Sequence, residues 1–165
     1  SAEGKAQASA AKAEIDRLVE GGAGAPLPRP TAIFSSPLQR TLQTTALIFP
    51  QHPSTHIREF LRERHTGLPC DEHQPADDIC RRPSFVHMSS GDLKRLEADC
   101  SSAAAAVPEE DKPMLRERTA RLAGYLRGLE DTSVCLVTHK GFLRELERGP
   151  LGRPAAPEFG NCEVR

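Results

Sequence analysis

The sequence predicts an α/β fold of three layers with a mainly parallel sheet, and three observations carry the prediction. Residues 31–34, Thr-Ala-Ile-Phe, form a short apolar run that reads as a buried strand, which Ser35, Ser36 and Pro37 turn into a helix. A β-prone piece at residues 55–57 follows that helix after a turn at residues 50–54. This strand-helix-strand order favours parallel pairing through a right-handed crossover. A second buried strand at residues 132–138 then follows a long amphipathic stretch at residues 109–130. In such sheets ligands collect at the carboxyl ends of the strands.

In chain order, residues 5–20 place Ala8, Ala11, Ile15, Leu18 and Val19 on one stripe, so a covering helix precedes the Gly/Pro-rich break at residues 21–30. Ser36 is the expected N-cap of the next helix. Pro37 is expected at its first position, where proline has no N–H to lose and its φ already suits the helix. Free N–H groups and the positive end of the helix dipole then point outward from the strand end, which is the outline of an anion site. Arg40 lies about one turn in, close enough to bring its guanidinium fork over that point. A lone helix arginine is, by contrast, usually solvated.

Glu63 stands in an arginine-rich patch with Arg58, Arg62 and Arg64. Such a run is usually a solvated face; a carboxyl that keeps its proton near neutrality is also able to protonate a leaving-group oxygen. Residues 69–113 are irregular, with Pro69, Pro75, Pro83, Pro108 and Pro113, and read as a cap inserted over the site. Cys70, His73, Cys80 and His87 have the side chains of a zinc set, but no Cys-x-x-Cys pair is present, and scattered loop residues are the favoured reading. In residues 109–130, Leu115, Leu122, Leu126 and Leu129 share one face, with arginines opposite. His139 ends the second strand. A histidine there is often structural, yet one at the carboxyl edge beside a helix start is placed to meet a ligand. A helix at residues 142–148, a Gly/Pro loop and residues 159–164 close a single domain of 165 residues.

With 22 basic and 23 acidic residues the net charge is -1, which argues against nucleic-acid or membrane-surface partners. The apolar runs at residues 103–107 and 134–137 fall far short of the ~20 residues of a membrane span. Five cysteines without a framework spacing leave one unpaired, so reduced thiols and a cytoplasmic location are expected. Glu3, Glu14, Asp16 and Glu20 are unlike the acidic-poor transit peptides.

Four ordered stretches carry a family resemblance. Residues 35–46, Ser-Ser-Pro-Leu-Gln-Arg-Thr-Leu-Gln-Thr-Thr-Ala, are similar to the Ser-Ser-Pro-Leu-x-Arg and Gln-Thr-Ala signature of the histidine phosphatase superfamily, the phosphoglycerate mutase-like proteins. Residues 61–67 resemble its Leu-x-Glu-Arg-His-x-Gly, residues 137–141 its Val-Thr-His-Gly-Gly, and residues 161–164 its Asn-Cys-x-Val. The resemblance implies a phosphoglycerate mutase-like α/β/α sandwich. It also implies phosphomonoester hydrolysis, or phosphoryl transfer between hydroxyls, through a phosphohistidine and without metal or other cofactor. The implied substrate is a phosphorylated small molecule or a phosphoprotein. Glu63 becomes the general acid and His139 the second pocket histidine. Arg40, with Ser36, Arg64 and Lys140, becomes the phosphate-binding set. Lys140 stands where the family usually has glycine and adds positive charge beside the pocket.

The family's nucleophile lies in an Arg-His-Gly motif at the end of its first strand. The 165 residues contain no such motif, and residues 1–8 look like the tail of the segment that follows it in the family. Arg64 and His65 with Gly67 imitate the motif, but Arg62 and Glu63 before them are the opposite of an apolar strand. The chain alone is therefore expected to lack turnover. It is either part of an enzyme or a catalytically dead phosphate-binding or protein-interaction protein. The absent strand is expected to be central, between residues 31–34 and 133–138. That arrangement would leave a gap of unpaired backbone groups and a poorly soluble or molten chain.

Overall fold

The computed structural model describes residues 1–22, 24–72, 109–130 and 133–165. Helix α1, Ala2–Val19, is capped by Ser1, whose hydroxyl accepts the Gly4 N–H at 3.1 Å, and Glu3 in the first turn complements the dipole. Strand β1, Ala32–Ser35, leads to α2, Gln39–Ile48, and on to β2, Thr55–Ile57. Two 3-10 turns, Glu59–Leu61 and Pro69–Asp71, precede α3, Lys112–Arg127. Strand β3, Val134–Val137, and α4, Lys140–Arg148, follow. Asp111 caps α3 by accepting the Met114 N–H at 2.8 Å, and proline occupies the first turn, where no donor is lost.

The sheet has the order β2-β1-β3 and is parallel throughout. Ala32 pairs with Val134 and Ser35 with Val137. The Thr31 N–H donates to the Ser133 carbonyl at 2.8 Å, and the Ser36 N–H to the Val137 carbonyl at 2.9 Å, so the ladder is closed at both ends. This corrects the expected gap: β1 and β3 are direct neighbours and no strand stands between them. Direct pairing satisfies the facing backbone groups and keeps both strands in register with the same two helical layers. The reason given for a molten chain is thereby removed.

Side-chain alternation builds those layers. Ala32, Phe34, Val134 and Leu136 face Leu115 and Leu122 of α3 and Phe142 and Leu146 of α4 in the main core. Burial of each of the large side chains contributes about 1.5–3 kcal/mol. On the opposite face the Thr45 hydroxyl of α2 donates to Ser35 Oγ at 2.9 Å. Helix α1 covers α2 through Ala8, Ala11 and Ile48, joined by Cys162 and Val164 from the C-terminal segment. The result is the expected three-layer α/β/α arrangement.

Two helix starts differ from expectation. Helix α2 begins at Gln39 with Leu38 as an N-cap that makes no side-chain cap bond. Ser36 does not cap it in the expected way, because its hydroxyl is shared between the Leu38 N–H at 3.3 Å and His139. Helix α4 begins at Lys140, directly after His139. Residues 73–108, including His73, Cys80, His87 and most of the expected cap, lie outside the described residues. Among the described residues no helix is long and apolar enough to cross a membrane.

Candidate functional site

Ser35 and Val137 are register partners at the ends of β1 and β3, so the residues that follow them emerge together at the carboxyl edge of the sheet. His139 Nε2 lies 2.7 Å from Ser36 Oγ, and its Nδ1 lies 3.2 Å from Arg40 Nε. Guanidinium only donates, so Nδ1 is the acceptor and the proton of the neutral ring sits on Nε2, donating to Ser36. His139 is buried. Burial first, then the positive charge of Arg40, push its pKa down to about 3, with Asp71 opposing. The ring is therefore neutral near pH 7 and acts as a hydrogen-bonding group, not a second cation.

Arg40 is held from the other side by two groups that sequence reasoning missed. Its Nη1 donates to the Cys70 carbonyl at 2.5 Å and its Nη2 to Asp71 Oδ1 at 3.3 Å. The Asp71 side chain is only 6% exposed and its second oxygen accepts the Thr66 hydroxyl at 2.9 Å, whereas Arg40 remains 44% exposed. A carboxylate thus faces the cation of the site. No local pattern around Asp71 announces this, since the pair forms only when the 3-10 turn Pro69–Asp71 folds over α2.

Glu63 reaches the same edge. Its Oε1 accepts the Arg64 N–H at 3.0 Å and lies against Gly141, where an added Cβ would stand 2.7 Å from that oxygen. A side chain at position 141 would have to displace the end of Glu63. The carboxylate therefore meets the first turn of α4 two residues after His139.

The segment that carries Glu63 is clamped in place. The Thr138 hydroxyl donates to the Leu61 carbonyl at 2.5 Å. Arg118 Nη1 donates to the Arg62 carbonyl at 2.6 Å and to the Phe60 carbonyl at 3.0 Å. Arg118 is forked onto Glu110 at 2.8 and 2.5 Å and lies 5.0 Å from the centre of the Phe142 ring. Arg118 falls on the same side of α3 as Leu115 and Leu122, three and four residues away, and is buried because the carboxylate, two carbonyls and an aromatic face meet its donors and charge.

The remaining sequence candidates stand further out. Lys140 opens α4, but its ammonium is paired with Glu158 at 2.9 Å and is mostly exposed. Arg64 contributes its backbone N–H to Glu63, and its guanidinium has no hydrogen-bond partner among the described residues. His65 lies in a loop after a 3-10 turn rather than at a strand end. Burial pushes the Cys135 thiol up to about 11, which leaves it inert as a nucleophile near neutrality. The structure thus brings together Ser36, Arg40, Glu63 and His139 beside the N-termini of α2 and α4.

The family model for the histidine phosphatase superfamily (branch 1) matches residues 1–164, and the chain belongs to that superfamily. Its chemistry is of the phosphatase and phosphomutase type. No curated protein and no solved structure matches the chain.

Proposed function

We propose that this edge of the sheet binds the phosphoryl group of a phosphorylated small molecule or phosphoprotein for hydrolysis or transfer. The observation that carries the reading is the contact of Arg40 with His139 beside two helix N-termini, which gathers one cation, a neutral imidazole and the positive ends of two helix dipoles at one edge. In this reading Arg40 takes phosphoryl oxygens once Asp71 and the Cys70 carbonyl yield it. Ser36 and His139 supply further polar contacts, with Arg64 and Lys140 flanking. Glu63 protonates the departing ester oxygen. In the reaction that the superfamily resemblance implies, the phosphoryl group passes to the histidine of an Arg-His-Gly motif, which the 165 residues do not contain, and then to water or an acceptor hydroxyl.

His139 is not assigned as the attacking histidine, because both its ring nitrogens are engaged with Arg40 and Ser36. With no Arg-His-Gly motif in the 165 residues, the chain alone is expected to bind phosphate without turning over esters. Arg40→Ala is expected to weaken phosphate or vanadate binding, followed by NMR titration, by roughly tenfold or more, since a charge-assisted contact is worth about 1.5–3 kcal/mol. Unchanged affinity would overturn the assignment of Arg40. Robust p-nitrophenyl phosphate hydrolysis by the chain, abolished by His139→Ala or His65→Ala, would overturn the assignment of the attacker.

A further inference from the structure

The helical layer of α3 and α4 carries a second charged feature, outside the phosphoryl site. A groove of about 860 Å3 runs between the two helices, walled by Lys112, Arg116 and Arg127 of α3 and by Arg144 and Arg148 of α4. A single carboxylate, Glu145, belongs to the lining. A chain whose net charge is -1 therefore lines one surface with five cations and one anion, with Arg144 paired also to Glu158, outside the lining, at 3.2 Å, so that Lys112, Arg127 and Arg148 carry the uncompensated charge. Lys112, Arg116, Ala120, Ala123 and Arg127 follow each other at helical spacing along one face of α3, so the cations stand at its ends and the two alanines leave a trough between them.

The groove already shows how it treats a carboxylate. Glu145 lies between Arg116 and Arg144, 3.5 Å from one Nε and 3.3 Å from the other. Lys112 and Arg127 have no ion-pair or hydrogen-bond partner among the described residues, and both are exposed. Arg148 spends its donors on the Ala156 carbonyl, which leaves its charge uncompensated. Fifteen helical residues separate Lys112 from Arg127, roughly 22 Å of helix axis. That length suits an extended chain of about seven residues at ~3.3 Å each rather than one compact anion. Arg148 stands nine residues beyond His139 along α4, roughly 13 Å from it along the axis, so the far end of the groove lies away from the phosphoryl site, while at its near end Arg144 shares Glu158 with Lys140.

We infer that the α3/α4 groove docks an extended acidic peptide segment of a partner protein, its carboxylates engaged by Lys112, Arg116, Arg127, Arg144 and Arg148. Docking there leaves the sheet edge of the phosphoryl site open. This inference is independent of the phosphoryl reading.

The test is fluorescence anisotropy of a fluorescein-labelled peptide of about eight alternating glutamates and alanines, titrated with the full chain at low and at physiological salt. Saturable binding that weakens with salt is expected, with none for the same peptide carrying glutamine in place of glutamate. Arg127→Glu with Arg148→Glu should lower affinity at least tenfold, with circular dichroism confirming the fold. Lys112→Gln with Arg127→Gln, milder at the surface, should lower it severalfold if charge reversal disturbs the helices. Arg40→Ala should leave peptide binding unchanged. Absence of binding, parental affinity in both double variants, or loss of binding in Arg40→Ala would overturn the inference. So would displacement by a single-stranded oligonucleotide as effective as displacement by unlabelled peptide, which would make the groove an unselective polyanion surface.

Discussion

Replacing Asp71 by asparagine is expected to tighten phosphate binding at the sheet edge. In the folded chain the Asp71 carboxylate lies 3.3 Å from Arg40 Nη2 and repels an incoming anion while occupying its cation. A fully screened-in pair at that distance would interact by about 5 kcal/mol at an effective dielectric constant of ~20. Arg40 is 44% exposed, however, so solvent and salt reduce the useful part to about 1–1.4 kcal/mol. That corresponds to roughly five- to tenfold in affinity. Asparagine keeps the shape and still accepts the Thr66 hydroxyl, so the change isolates charge. Titration with inorganic phosphate or vanadate by NMR at constant ionic strength should show tighter binding in Asp71→Asn and no gain when Arg40→Ala is combined with it. Equal or weaker binding in Asp71→Asn, or the same gain in the double variant, would refute the argument that Asp71 competes for Arg40.

Three further outcomes follow from the same geometry. His139 goes from an ordinary pKa of about 6.5 unfolded to about 3 folded, so between those values only the unfolded chain holds its proton. Stability is then complete above about pH 6.5 and declines as pH falls toward 3, by about 1.4 kcal/mol per unit. Urea unfolding at pH 7 and pH 5 should differ by about 2 kcal/mol on this account, and a slope unchanged in His139→Asn would contradict it. Arg118→Ala should destabilise the chain by about 3–5 kcal/mol, because Glu110 is left charged and buried. Arg118→Met combined with Glu110→Met should recover much of that loss in thermal melts. Gly141→Ala should cost under about 1 kcal/mol of stability, since the atom it meets is the movable end of Glu63, but it should shift the NMR signals of the Glu63 carboxyl. Signals identical to the parent would show that Glu63 does not rest on Gly141.

The sequence by itself determined the elements and the family. A β-branched run closed by Pro37, the 55–57 piece, the leucine stripe of α3 and the strand before His139 are local patterns, and local sterics and periodicity suffice to turn each into a strand or helix. Four ordered motifs then identified the superfamily that the chain belongs to. The tertiary structure alone decided who neighbours whom. Strand adjacency is a choice among pairings that the strands' own residues permit, and the sequence reading placed a strand where β1 and β3 bond directly. Ser36 looked like a cap alone, and beside the Leu38 N–H its hydroxyl also holds His139, 103 residues away. Arg40 looked like a free anion fork and instead faces Asp71. The burial of Arg118 depends on carbonyls 56 and 58 residues before it. Each of these depends on partners that are remote in sequence and meet only after the layers close, so no local pattern of charge or hydropathy encodes them.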